Sequence, residues 1–326
     1  MSELGSVYPE SGETPAGPEH LNIRRSPWGD RLINLRQAAL DLVTRTNADQ
    51  VLNEASNPDV LNKETGIEIT AELKRFMDMA KLEAIDERGL SVDYKNLQTS
   101  PAYREYQQSC TPRLRYFDPG KITSREEKLA FWINLYNALV MDGVIANEIT
   151  QTVGASSLGL LAFFHKTAYN VGGQRMSCDD IEHGVLRGNQ GHPMLPGAQF
   201  SSSDPRLAWV IDPQEVRVHF ALNCASRSCP PIQVYTAENL DSQLDMAARN
   251  FVNADLEVDP DRGEVNLSAI FNWFKGDFGG HQGVIDFLIE HLPQDDRRKT
   301  WLLEHRGTLR FVYKPYDWGL NSTILH

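Results

Sequence analysis

The segment His219–Ile232, HFALNCASRSCPPI, gathers a histidine, an asparagine, two thiols and an arginine into fourteen residues and closes on Pro230-Pro231. Thiolates are strong nucleophiles and histidines are the usual general bases near neutral pH. Together these residue types could carry acyl transfer or amide hydrolysis through a thioester. Cys224 and Cys229 are the candidate nucleophiles. Cys229 sits just before the two prolines, which stiffen its loop, and the nearby Arg227 favours a thiolate. Free cysteines are also among the most buried residues, so each thiol has a second reading as inert core. Cys178 is a rival with acidic neighbours.

His183 and His219 are the candidate bases. His183 lies in DIEHGVLRG, with Glu182 beside it, Asp179 one helical turn before and Arg187 one turn after. A carboxylate that holds one ring nitrogen leaves the other free to move a proton, a role open to Glu182 or Asp317. The plainer reading of this segment is a salt-bridged surface helix. For His219 the question is geometric. If the run Val216–Leu222 is a strand that continues through Cys224, alternation puts His219 beside Asn223 and away from Cys224. Cys224 would then need another base, such as His183, whereas a break at Leu222 reopens the pairing.

Asn134 and Asn137 stand three residues apart in FWINLYNALV and share one helix face. With Asn223 they could supply donors to a developing oxyanion, and with Arg187 and Arg227 they make up the candidate substrate-binding set. The plainer reading, which weighs more for the helix pair, is that these amides tie loop backbones to the helix. His183, His219, Cys224 and Cys229 could in principle hold zinc, but no standard zinc spacing occurs, so no metal is expected. No phosphate-cradling G-x-x-x-x-G-K and no G-x-S-x-G are present, so no cofactor is expected either.

The elements that must position these residues are mostly helical. Periodic apolar stripes run through Leu32, Leu35, Ala39, Leu42 and Val43, and through Ile69, Leu73, Phe76, Met77 and Ala80, with a break at Asn57-Pro58. A short helix over Pro101–Ser109 follows. Ser124 and Glu127 form a capping box that opens a helix of about twenty residues, apolar on nearly every face and therefore interior. YNVGGQRM (169–176) reads as a tight hairpin, and Ser177 with Asp180 caps a helix over 178–187. Thr236–Asn250 is another helix, Leu256–Leu267 a hairpin, and 268–275, 281–291 and 295–305 are helical stretches before a last strand, Thr308–Tyr313. The sum is an α+β protein, mainly helical, with a small antiparallel sheet and a buried central helix. The expected organisation is a disordered arm over 1–25, a helical extension over 26–99 and a core domain over 100–326.

Composition narrows the function classes. The 326 residues are 41% hydrophobic and 23% charged, with a net charge of −12 and a pI near 5.2. Such a surface repels phosphate backbones and acidic lipid, so neither nucleic acid nor a membrane is an expected partner; a small molecule or a peptide is. Four cysteines are too few for a disulfide scaffold, and the N-terminus has no basic start or apolar core of a secretory signal, which points to the cytoplasm.

At AFWINLYNALVM (130–141), YNVGG (169–173), DIEHGVLRG (180–188), VHFALNCASRSCPP (218–231), VNLSAIFNWFKGDF (265–278) and YDWGLN (316–321) the chain resembles the domain of unknown function 547 family. The six pieces occur in the family's order and span about residues 100–321. The resemblance implies no activity. It implies a fold similar to the papain/transglutaminase-like group, in which the nucleophilic cysteine heads the central helix. Here that helix carries Asn134 and Asn137 and no thiol, so either a thiol of the 224–229 loop takes over or the site binds without cleaving. Two readings therefore stand: a thiol-dependent hydrolase or acyl transferase acting on an amide or ester, and a non-catalytic binding or scaffold domain with a structural polar network.

Overall fold

The computed structural model describes residues 27–47, 49–54, 66–154 and 156–323. The expected arm over 1–25 and the break at Asn57-Pro58 lie outside the described residues. The α-helices are α1 (Pro27–Thr44), α2 (Gly66–Glu83), α3 (Tyr94–Thr99), α4 (Pro101–Glu105), α5 (Thr111–Leu114), α6 (Arg125–Ala146), α7 (Ser157–Lys166), α8 (Leu240–Asp255), α9 (Ile270–Trp273), α10 (Gly280–His291) and α11 (Arg297–His305). The strands are β1 (Ala168–Val171), β2 (Gln174–Ser177), β3 (Glu257–Asp259), β4 (Glu264–Leu267) and β5 (Arg310–Tyr313). The protein is mainly helical α+β, as its periodicity implies.

Helix α6 organises the fold. Ser124 caps it, its hydroxyl accepting from the Glu127 amide at 3.1 Å. Every residue from Leu129 to Ile145 is buried. An apolar helix of this length also satisfies the composition of a membrane span, but 94% of that window is covered by the rest of the protein. Each large apolar side chain buried there contributes roughly 1.5–3 kcal/mol. The helix ends where the Asn147 amide group donates to the Gly143 carbonyl at 2.7 Å and Glu148 turns left-handed at φ 51°. Gly143 allows close packing: a Cβ there would meet Thr167 Cγ2 at 2.4 Å.

Two apolar cores flank the site. The larger surrounds α6 and includes Leu73, Phe76 and Met77 of α2, so the N-terminal extension shares its core with the rest of the chain. The smaller joins α8, α9, α10 and β4. The α1 stripe behaves otherwise than expected: Leu32, Leu35, Leu42 and Val43 are exposed, whereas Ile33 and Thr44 face inward.

The sheets are small. β1 and β2 pair antiparallel around Gly172-Gly173, both at positive φ, which gives the expected hairpin. β3 pairs antiparallel with β4, and β5 joins β4 in parallel, so the second sheet is mixed rather than wholly antiparallel.

The run 216–222 is not a strand. Val216–Phe220 is a 3₁₀ turn whose start is capped by the Glu215 carboxylate, accepting from the Arg217 amide at 3.1 Å. The physical reason is division of labour: Val218, Ala221 and Leu222 enter the larger core and Phe220 the smaller. A pleated strand would need partners on its edges, and strand propensity yields to packing when none is offered. The alternation argument separating His219 from Cys224 therefore falls.

Candidate functional site

The segment 178–187 is helical at the place expected but wound as a π-helix over Asp180–Leu186. Its cap is reciprocal: the Asp180 amide donates to Ser177 Oγ and the Ser177 amide to Asp180 Oδ2, both at 3.0 Å. Gly184 lets the ring of Phe200 lie against the backbone, since a Cβ would fall 2.2 Å from Phe200 Cζ. Wide turns of this kind recur at functional sites. Here the turn returns Arg187 Nη1 to His183 Nδ1 at 3.0 Å and to the Gly191 carbonyl at 2.6 Å.

The cysteine loop is fixed from two sides. Asn223 accepts from the Ala225 amide and donates to the Pro230 carbonyl, and Ala225 holds a left-handed φ of 62°. The C-terminal stretch lies across the loop: the amides of Arg227 and Asn321 donate to Gly319 and Ala225 carbonyls at 2.8 and 3.0 Å. That stretch brings in Tyr316.

Cys229 Sγ accepts from the Cys224 backbone amide at 3.0 Å and lies 3.2 Å from Ser226 Oγ and 3.3 Å from Tyr316 Oη. Cys224 Sγ lies 3.5 Å from the same Ser226 hydroxyl and 3.4 Å from the same Tyr316 hydroxyl. Burial raises both thiols. For Cys229 the donors outweigh it, Cys224 first and then Ser226 and Tyr316, and hold its thiol at about 7. Burial, then the neighbouring Cys229, pushes Cys224 up. The pair thus shares one proton, with the charge favoured on Cys229.

Three histidines line the same cavity as the two sulfurs, a space of about 70 Å³. His219 Nε2 is 2.9 Å from Asp277 Oδ2, and the ring stacks on Phe274 at 4.0 Å. Asp277 also takes Arg187 in a two-point pair. Burial opposes ionisation of Asp277, but Arg187 and His219 override it and hold the carboxyl well below its usual range. With Nε2–H on Asp277, Nδ1 of His219 keeps a lone pair.

His183 and His192 have the opposite tautomer, assigned from their partners. A guanidinium only donates, so His183 Nδ1 accepts from Arg187 and Nε2 carries the hydrogen. His192 Nδ1 accepts from the Met194 amide at 3.1 Å, with the same result. Burial and nearby positive groups keep both rings neutral, His192 down at about 3. Both are thus neutral N–H donors. Asp179, His183 and His192 bring ligand-type atoms within 4.8 Å of one another. Their committed Nδ1 lone pairs and protonated Nε2 atoms make this a hydrogen-bonding corner rather than a ready ligand set. The zinc arrangement of His183, His219, Cys224 and Cys229 is not assembled among the described residues.

The remaining candidates divide. Glu182 lines the cavity but bonds Tyr136 Oη at 2.8 Å, and its nearer approach to His183 is 3.8 Å. Burial pushes its carboxyl up. Asp317 is half exposed, caps its own turn at Gly319 and lies 3.7 Å from Arg227, which is likewise half exposed; neither lines the cavity. The carboxylate that holds an imidazole is Asp277, not Glu182 or Asp317. Asn134 exchanges two bonds with the Tyr235 backbone. Asn137 bonds the Ala221 carbonyl and the Asn223 amide. Neither these amides nor Asn223 and Arg187 line the cavity. Asp277, Tyr316, Ser226 and His192 are new members. Asp277 and Tyr316 lie in the pieces WFKGDF and YDWGLN, where only their neighbours in space reveal a role.

Trp273, Trp318 and Tyr316 form an aromatic wall, with the two indoles stacked at 5.6 Å. A larger groove of about 210 Å³ lies between α2 and α4. Its one thiol, Cys110, is pushed by burial up to about 12 and has no histidine beside it in the lining.

Residues 119–252 match the family model described as Protein of unknown function, DUF547. No curated protein and no solved structure matches the chain.

Proposed function

We propose that this chain, which matches the DUF547 model over residues 119–252, is a thiol-dependent acyl-transfer enzyme or hydrolase, with Cys229 as nucleophile, acting on a small amide or ester. The observation that carries the reading is the donor set around Cys229 Sγ, a backbone amide and two hydroxyls within 3.3 Å, at the wall of a cavity that also holds three histidines. A thiol so placed, held at about 7, is substantially ionised near neutral pH, which a merely structural thiol has no need to be.

The chemistry follows from the tautomers. Cys229 sulfur attacks the carbonyl carbon, and the one proton that the thiol pair shares passes to His219 Nδ1. The developing oxyanion takes N–H bonds from the neutral His183 and His192. The C–N or C–O bond breaks, the leaving group collects the proton from His219, and a thioester remains. Water or another acceptor, giving its proton to His219 Nδ1, releases the acyl group. Asp277 keeps the His219 ring in the required tautomer. A cavity of about 70 Å³ suits a short acyl group, packed against Trp273 and Trp318.

The scaffold reading accounts for Asn134, Asn137 and Asn223, whose amides are spent on backbone. It gives no reason for a cavity walled by two thiols and three histidines.

The test uses a limiting alkylator and a short activated ester, such as p-nitrophenyl acetate, on the reduced protein. Cys229 is expected to alkylate faster than free cysteine and to carry an acyl adduct by peptide mass spectrometry, both lost in Cys229→Ser. If no cysteine exceeds free cysteine and none is acylated, the nucleophile proposal fails.

A further inference from the structure

Acyl transfer needs one sulfur, and the cavity presents two. Both sulfurs lie within 3.5 Å of the same Ser226 hydroxyl and within 3.4 Å of the same Tyr316 hydroxyl. The backbone amide of Cys224 also donates to Cys229 Sγ, at 3.0 Å. The intervening turn is closed by the Cys229 amide on the Ser226 carbonyl at 3.2 Å, and non-glycine Ala225 is held at positive φ. Unusual backbone of this kind persists where surrounding structure enforces it. The acyl mechanism needs no second nucleophilic sulfur held against the first.

We infer that Cys224 and Cys229 are a hydroperoxide-reactive dithiol: Cys229 is oxidised to a sulfenic acid and Cys224 resolves it into a Cys224–Cys229 disulfide.

The steps balance with a hydroperoxide as the named oxidant. Cys229 thiolate attacks the terminal peroxide oxygen, the S–O bond forms and the O–O bond breaks. The departing alkoxide or hydroxide takes the proton of the Cys224 thiol. Cys224 thiolate then attacks the sulfenic sulfur, the S–S bond forms and the S–O bond breaks. Hydroxide leaves and is protonated by solvent. The electrons balance: the peroxide is reduced by two electrons to alcohol or water, and the two cysteines are oxidised by two to one disulfide. An external thiol restores the pair by exchange.

Size and burial choose the oxidant and the site. A cavity of about 70 Å³ admits hydrogen peroxide or a short alkyl hydroperoxide and shuts out a bulky disulfide. Cys224 is the one free cysteine that is not fully buried, whereas Cys110 and Cys178 are buried away from this cavity. Burial raises both of those thiols, which leaves them protonated and slow. Oxidation is therefore confined to one pair.

The test treats the fully reduced full chain with a near-equimolar amount of hydrogen peroxide, then maps the cysteines by mass spectrometry. Expected is a Cys224–Cys229 disulfide, reversed by dithiothreitol, formed about tenfold faster than free cysteine oxidises near neutral pH. Cys110 and Cys178 stay reduced. Cys224→Ser traps a dimedone-reactive sulfenic acid on Cys229, and Cys229→Ser lowers oxidation at position 224 to the rate of free cysteine. Accumulation of sulfinic acid on Cys229 without a disulfide, or first oxidation at Cys110 or Cys178, overturns the inference. A reduced protein that takes the acyl adduct yet never forms the disulfide sinks this inference alone; one that forms the disulfide but takes no acyl group sinks the acyl-transfer reading alone.

Discussion

Arg187 and Asp277, 90 residues apart in the chain, meet as a two-point ion pair, Nε on Oδ2 at 2.6 Å and Nη2 on Oδ1 at 3.0 Å. Both side chains are almost fully buried, 5% and 6% exposed. The same guanidinium sets the tautomer of His183, and the same carboxylate sets that of His219. One buried pair thus makes one histidine a donor and the other an acceptor.

Breaking that pair from one side is expected to be costly. Asp277→Asn leaves the Arg187 charge uncompensated in the interior, at a cost of about 3–5 kcal/mol. Removing both charges in Asp277→Leu/Arg187→Met is expected to cost less than the single change, because no buried charge is left alone. Urea denaturation of the three proteins checks this. A double variant less stable than the single one would show that the pair contributes more than mutual neutralisation.

Tyr316 is predicted to set the reactivity of the sulfurs. Tyr316→Phe removes the hydroxyl 3.3 Å from Cys229 Sγ and keeps the ring against Trp273 and Trp318. The wild-type alkylation rate should rise with pH through a midpoint of about 7. Loss of one donor, worth about 1 kcal/mol, moves that midpoint up by about 0.7 unit. The rate near neutrality then falls several-fold, and at high pH the two proteins converge. Iodoacetamide rates across the pH range, with adducts mapped to Cys229, report the shift. An unchanged midpoint would falsify the assignment of Tyr316 as a thiolate donor.

Much of this was legible in the sequence because it is written locally. The Ser124 and Ser177 boxes, the all-round apolar α6 and the Gly172-Gly173 hairpin depend on neighbours within a few residues, and the structure has each of them. The run Val216–Leu222 misled because its apolar residues serve two cores rather than one face. The α1 stripe misled in the opposite sense, since periodicity shows that a helix has an apolar face but not that anything covers it. In the site, cysteines and histidines declare themselves by type. Asp277, Tyr316 and Ser226 do not, because an acid or a hydroxyl acquires its role only from what a distant segment brings beside it.

The helix amides separate support from chemistry. Asn134 binds both polar groups of the Tyr235 backbone, with Nδ2 to the carbonyl at 2.8 Å and Oδ1 from the amide at 3.0 Å. Asn134→Ala strands those buried groups and is expected to cost about 1–3 kcal/mol. Because the side chain does not line the cavity, the Cys229 alkylation rate of the folded variant should stay within about twofold of wild type. Thermal melts paired with alkylation rates check both halves. A stable variant with a slow thiol would move Asn134 from the scaffold into the site.

The last prediction concerns charge rather than hydrogen bonding. Asp179 is 6% exposed, and burial first, then Asp180 and Glu182, push its carboxyl well above the ordinary range. A carboxyl whose folded pKa exceeds its unfolded value of about 4 binds its proton more tightly in the native state. Its cost is therefore absent below about pH 4, grows as pH rises above that value and is complete once pH passes the folded pKa. Asp179→Asn keeps the shape without the charge and escapes this cost. The variant is expected to melt at or above the wild-type temperature near neutral pH, with the difference vanishing or reversing as pH falls towards about 4. Melts over that window decide it. A wild type that is the more stable protein at neutral pH would mean that Asp179 is ionised and paired, and the partner in reach is His183, whose Nε2 stands 3.8 Å from Asp179 Oδ1.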